Sequence, residues 1–200
     1  MSTERIKALR SGGYEDMVGP FTEQAFDDGA AQAAYGPIPS PTGELMAVVS
    51  RKGLVALAFD NEPHDLVLQH VARRVSPAIV ELPSAVSGVR SQLDAYFTRR
   101  LRCFDMPLDR ALVTPFQDKV LAATTAIPSG QVRTYGQIAA AAGKPKGAQA
   151  TGQALGANPI PIVIPCHRVI AADGGLRGYA GGLDKKEFLL NLESGTSKLF

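Results

Sequence analysis

Cysteine and histidine are scarce in this 200-residue chain, and their scarcity narrows its chemistry. There are two cysteines, Cys103 and Cys166, with no paired spacing, which argues against a disulfide framework and for a reducing, cytoplasmic setting. There are three histidines, His64, His70 and His167, too scattered to form a zinc-spaced cluster. Long apolar runs are missing: none approaches the length of a membrane span, and the first thirty residues mix charges with glycines, unlike a signal peptide. Repeats and low-complexity tracts are absent too. What remains is ordinary globular material, 45% hydrophobic, enough for a core in one or two small domains. The net charge of +2 is unevenly spread. Residues 111–200 hold nine Lys/Arg against five Asp/Glu, whereas residues 1–110 hold twelve against fourteen. The basic excess in the C-terminal half is compatible with a polyanionic partner.

Within that half, the segment Pro161-Ile162-Val163-Ile164-Pro165-Cys166-His167-Arg168-Val169 sets a cysteine beside a histidine after an apolar run fenced by prolines. A thiol nucleophile needs a nearby base or positive charge to become thiolate. It also needs a stiff mount, which proline's fixed φ supplies. A small buried hydrophobe beside a surface histidine fits the pair equally well when it is taken alone. The surroundings favour a pocket: Asn158-Pro159 precedes the run, and Gly174-Gly175, Gly178 and Gly181-Gly182 follow it.

Residues 1–36 read as a weakly structured extension, with Phe21 and Phe26 as candidate anchors. Residues 37–108 read as an α+β unit: strands at 43–49 and 54–59 joined by a hairpin turn, then helices at 63–74 and 84–100. Cys103 follows in a short alternating segment and reads as a small core residue. Residues 106–114 read as an interdomain linker, leaving 109–200 as the C-terminal domain. Thr114-Pro115-Phe116-Gln117 is a helix start, with threonine as N-cap, proline at the first helical position and glutamine closing a capping box. That helix is expected to end near Ala126. Short helices at 137–142 and 147–157 around a Gly-Lys-Pro-Lys turn make a helix-turn-helix pattern. The second contains three glycines and few large side chains, at about 1 kcal/mol of helix stability per glycine relative to alanine. Such a helix is built for close approach, either to another helix or to a nucleic-acid backbone.

The stretch from Thr114 to Glu193 closely resembles the O6-alkylguanine-DNA alkyltransferases. Pro165-Cys166-His167-Arg168-Val169 is the family's core motif, and Asn158-Pro159, Tyr179, Gly181-Gly182, Lys186 and Glu193 fall at matching spacings. The resemblance implies an RNase H-like N-terminal domain followed by a mainly helical, winged-helix-like C-terminal domain, an α+β fold overall. It implies single-turnover transfer of an alkyl group from O6 of guanine, and from O4 of thymine, to Cys166, with no metal or cofactor. The implied partner is double-stranded DNA bound through its minor groove, by a monomer with scope for cooperative binding.

The resemblance also assigns roles. Cys166 is the nucleophile, relayed through water to His167 and on to Glu193, and Asn158 fixes the turn before the nucleophile segment. Tyr135, Leu155, Val169, Tyr179 and the Ala180 backbone hold the extruded base, with Lys186 as support for the nearby loop. Ala148, Gln149, Ala150, Thr151, Gly152, Gln153 and Lys146 meet DNA. Arg168 is placed with this DNA-facing group, although by itself it reads as a structural residue bonded to nearby backbone. Lys144 and Lys146 would meet phosphates, or else form a plain solvated turn. Two positions depart from the family. Gln149 stands where an arginine usually enters the base stack, which implies weaker lesion capture or a substitute such as Gln153. Ala180 stands where many relatives carry serine. Alternative readings are a lesion-sensing relative without transfer, kept open by Gln149, a helix-turn-helix transcription factor, and a thiol hydrolase.

Overall fold

The computed structural model describes residues 14–195. Helix α1 (Tyr14–Asp27) leads into strand β1 (Ala33–Ile38), hairpin β2 (Leu45–Ser50) and β3 (Gly53–Ala58), helix α2 (His64–Arg74), strand β4 (Ile79–Glu81), a 3-10 turn (Pro83–Val86) and helix α3 (Ser87–Phe97). The C-terminal half holds α4 (Pro115–Thr125), β5 (Arg133–Thr134), α5 (Tyr135–Ala141), α6 (Ala148–Gly156), a 3-10 turn (Cys166–Arg168), β6 (Val169–Ile170) and α7 (Leu183–Ser194). This is the expected α+β class.

The four-stranded sheet has the order β3-β2-β1-β4, antiparallel except for the β1–β4 pair. Every residue of β2 is buried, because the sheet is covered on both faces. Leu45, Ala47 and Val49 join a large core that continues into the C-terminal half, through Leu121, Ile160 and Cys166. Met46 and Val48 join a smaller core with Val71 of α2. Buried on both sides, the strands read as continuous apolar runs rather than alternating ones. Val48 faces Ala56 and Val49 faces Leu54, so Val55 is an extra residue, a bulge in β3.

β3 is an edge strand, and its free backbone groups are taken up by the C-terminal half. Leu54 N donates to Pro107 O and accepts, through its carbonyl, from Asp109 N; Leu57 N donates to Pro159 O at 2.8 Å. Gly53, at φ +132°, is required here, since a Cβ would lie 2.1 Å from the Pro107 carbonyl oxygen. The segment expected as a linker is therefore docked onto the sheet, with the buried Asp109 carboxylate accepting from Ser50 Oγ at 2.6 Å. This pairing covers an edge that would otherwise be open. It also anchors Pro159, next to Asn158, on the first domain.

Weak structure was expected throughout residues 1–36, but α1 and the start of β1 lie there, and Arg51 donates to the Phe26 and Asp27 carbonyls at the end of α1. Phe26 packs against the core with the Arg51 guanidinium over its ring, whereas Phe21 is 73% exposed. Residues 1–13 lie outside the described residues. Cys103 is exposed rather than in the core, because Leu101, Phe104 and Met106 take the inward positions of its loop. Among the described residues, no helix is long and apolar enough to cross a membrane.

Candidate active site

The capping box expected at Thr114 and Gln117 is present. A second one, Thr134 with Gln137, opens α5 two residues earlier than expected, so Tyr135 is the first residue of that helix. Gln117 does more than cap: its amide, buried beneath α6, donates to the Ala154 and Ala157 carbonyls at 3.1 and 2.7 Å and so ties α6 to α4.

Between α6 and Cys166 the chain makes two tight reversals. Val163 N donates to Pro161 O across Ile162, whose φ of +70° is unusual for a β-branched residue. Such strain costs on the order of 1–3 kcal/mol and persists only where the surroundings enforce it. Ile162 is fully buried, and this packing enforces the turn. Cys166 N then donates to Ile164 O across Pro165, whose φ of −80° and ψ of 62° suit an inverse γ-turn.

Asn158 spans these turns. Its Nδ2 donates to Ile164 O at 3.0 Å and to Cys166 Sγ at 3.2 Å, and its Oδ1 accepts from Ile160 N at 3.1 Å. Burial pushes the Cys166 thiol pKa up, and the Asn158 hydrogen bond and the Lys186 charge only partly offset it. At rest the sulfur is a protonated thiol.

His167 is fully buried, and its Nε2 lies 2.9 Å from Glu193 Oε1. The Glu193 carboxylate also accepts from Arg168 Nε and Nη2, both at 2.8 Å, from Tyr96 OH at 2.7 Å and from Gly130 N at 3.3 Å. Burial alone would raise its pKa, but the bonds from His167 and Arg168 outweigh it and hold the carboxyl well below its ordinary range. An ionised carboxylate only accepts, so Nε2 of His167 carries the hydrogen. Burial lowers the His167 pKa against the pull of Glu193, so the ring is neutral and Nδ1 keeps a free lone pair. That atom is buried and has no hydrogen-bond partner among the described residues.

Beside this network lies an open cavity of about 580 Å³. Tyr135, Tyr179 and Ala180 line one part of it, and Ala148, Gly152 and Gly156 of α6 another. Cys166 is 8% exposed and is not itself part of this lining. Burial, and then the nearby Cys166, raise the pKa of both tyrosines, well above the ordinary value for Tyr179. Tyr135 OH donates to Arg177 O at 3.2 Å, Asn61 Nδ2 donates to Ala180 O at 3.1 Å, and Gly181 packs so closely that a Cβ would lie 2.9 Å from the Phe59 ring. The loop behind the cavity is thus braced by the first domain.

Several expected site residues lie elsewhere. Arg168 is not on the open face of α6: it is 6% exposed, and its guanidinium is spent on Glu193 and the Ile127 carbonyl. Thr151 is fully buried and points away from the open face of α6. Leu155 and Val169 are core residues around Cys166 rather than cavity walls. Ala148, Gln149 and Gln153 are exposed, Ala150 and Gly152 half-buried, and Lys146 exposed in the preceding turn. Lys144 stacks its Nζ 5.1 Å from the Phe116 ring.

Tyr96 and Gly130, which complete the Glu193 shell, carry no sequence signal. Lys186 does: it shares the buried stripe of α7 with Leu189, Leu190 and Glu193, at spacings of three, four and seven. It is fully buried, donates to Val169 O and Arg177 O at 2.7 and 3.0 Å, and burial lowers its pKa to about 8, against the pull of Cys166.

Two short helices around a turn, beside a buried thiol held by Asn158 and a buried His167–Glu193 pair, define a class: a helix-turn-helix fold built around a buried thiol. Residues 115–195 match the family model for the 6-O-methylguanine DNA methyltransferase DNA-binding domain, and residues 34–110 match that for its ribonuclease-like domain. The chain is 44% identical over 160 residues to a methylated-DNA–protein-cysteine methyltransferase of Methanosarcina barkeri, covering 80% of this chain and 96% of that one. It is similar to the crystal structure of Mycobacterium tuberculosis O6-methylguanine methyltransferase, with a TM-score of 0.72 and 39% identity over 84% of this chain and 96% of that one. It also resembles Mycobacterium tuberculosis OGT in complex with DNA, with a TM-score of 0.70 and 40% identity over 81% and 93%. The chain belongs to the methylated-DNA–protein-cysteine methyltransferase family.

Proposed function

We propose that Cys166 accepts an alkyl group from O6 of guanine in double-stranded DNA, with α6 laid in the minor groove and the damaged base turned out into the cavity beside Tyr135 and Tyr179. Membership of the family carries the reaction type, direct reversal of DNA damage by a protein that is consumed. The observation that carries the assignment to these residues is the Cys166 thiol, held by Asn158 and backed by a neutral His167 whose Nδ1 is bare.

In this mechanism the thiol proton passes through a bridging water to His167 Nδ1. Glu193, already ionised, stabilises the imidazolium that forms. Sγ attacks the alkyl carbon, the C–S bond forms as the C–O6 bond breaks, and the guanine leaves with the bonding electrons and takes up the proton that the thiol gave. The thioether has no route back, so each molecule turns over once. A base inside a duplex is out of reach of Cys166, and extrusion costs a few kcal/mol. The small residues of α6 allow the close backbone approach that a narrow groove demands.

Intact-protein mass after incubation with a duplex carrying one O6-methylguanine tests this reading. One methyl gained per molecule, mapped to the peptide containing Cys166, is expected. Cys166→Ala should gain none while keeping its affinity for the duplex; methyl removal by that variant would overturn the assignment.

A further inference from the structure

We propose that Arg177 is a phosphate clamp for the nucleotide that enters the cavity, and that Asp173 holds it in reserve until DNA arrives. The proposal rests on the reading of this cavity as the entry point of a DNA nucleotide.

The starting point is a deficit. α6, the helix assigned to the duplex, has no Lys or Arg and no acidic residue. Affinity for DNA comes largely from cations meeting phosphates, so the cation must be supplied from elsewhere. Of the two lysines before α6, Lys144 is stacked on Phe116, and Lys146 is exposed in the turn, away from the cavity lining. Arg133, on β5, donates to the Val132 carbonyl and to Gln131. Among the described residues, Arg177 is the one charged side chain that lines the cavity. A nucleotide rotated into this space brings its flanking phosphates to the rim, where that guanidinium sits. Arginine's planar fork also suits a phosphate in two-pronged contact.

The arginine is fixed at its backbone and exposed at its tip. Its carbonyl accepts from Tyr135 OH and Lys186 Nζ, at 3.2 and 3.0 Å. Its side chain is 64% exposed and engaged by Asp173, with Nη2 2.8 Å from Oδ2. Asp173 is itself held in place, because its Oδ1 accepts from Gly175 N at 2.9 Å. An ion pair this exposed is weak and easily exchanged. A phosphate delivered by a bound duplex can displace the carboxylate, which then works against binding by competition. The Asp173 carboxyl acts as a placeholder: it aims the guanidinium and yields it.

Transfer rates from two substrates separate this role from its alternatives. One is the O6-methylguanine duplex; the other is the nucleoside O6-methyl-2′-deoxyguanosine, which has the same reacting group and no phosphate. Arg177→Ala should slow transfer from the duplex about tenfold near 0.1 M salt and reduce the slope of log rate against log salt by about one. Transfer from the nucleoside should be unchanged. Arg177→Lys should recover most of the duplex rate. Asp173→Asn keeps the acceptor for Gly175 N but removes the competing charge, so it should raise the duplex rate about two- to threefold and leave the nucleoside rate alone. Equal losses on both substrates would make Arg177 a cavity wall and overturn the clamp, as would an Arg177→Ala variant with wild-type duplex rate and salt slope. If the wild-type protein alkylates Cys166 from neither substrate, the reading of the site fails first, and the clamp with it.

Discussion

The α7 network and the open face of α6 are built from opposite materials. Around Glu193 the chain buries a guanidinium, an imidazole and a phenol, each within hydrogen-bonding distance of that carboxylate. Along α6 the exposed residues are alanine, glycine and glutamine, with no charge at all. The difference separates two tasks. The proposed proton transfer needs partners whose charge states are fixed before substrate arrives, and paired burial fixes them. In the proposed docking of α6 against DNA, small uncharged residues allow the backbone to approach closely.

The strongest way to break this contrast is to remove charge from the buried side. Glu193→Gln leaves the Arg168 guanidinium buried without its counter-ion, and should cost about 3–5 kcal/mol of stability, measured by urea unfolding at pH 7. It should also change the pH dependence. The native Glu193 carboxyl lies below its ordinary value of 4.5, so its contribution is complete above that pH and is lost as pH falls further. His167, lowered from 6.5, adds a loss with the same sign below pH 6.5. Wild-type stability should thus fall in acid in two stages, and the variant should lack the lower one. An unchanged acid limb below pH 4.5 would mean that Glu193 is not the carboxylate responsible.

A smaller effect is expected at the hinge between the two regions. Asn158→Ala leaves Ile160 N without its acceptor and Cys166 Sγ without its donor. A loss on the order of 1–3 kcal/mol in stability should accompany a thiol pKa raised further, read directly by thiolate absorbance. If the thiol titrates as before, Asn158 is a turn residue only.

The smallest effect lies on the open face. Gln149→Arg restores a cation to an exposed helix position. Folding stability should stay within about 0.5 kcal/mol, while the salt slope of DNA binding should steepen by about one. A wild-type slope in that variant would show that position 149 does not approach the backbone.

Local chemistry was legible in the sequence wherever neighbours along the chain make the structure. The capping box at Thr114, the two short helices around Gly143, and the Cys-His pair between prolines are all short-range patterns. Failures came where long-range contacts decide. Residues 14–27 are helical although their composition shows no sustained period, and Pro20 lies inside the helix. Cys103 is exposed because its neighbours won the inward positions. Arg168, beside the nucleophile in sequence, points to Ile127 and Glu193, at distances of 41 and 25 residues along the chain.

By itself the sequence determined the reagents: a lone cysteine beside a histidine, a stiff proline-bounded mount, and a small-residue helix after a turn. These depend on residue type and spacing, which the chain carries openly. Only the tertiary structure decided how those reagents are charged and aimed. Tyr96, from the first domain, completes the shell of Glu193 97 residues away, Pro159 is seated by the edge of β3, and Lys186 is buried beneath the loop that bears Arg177. Such placements arise because burial and pairing act through space, between residues that only a common core brings together.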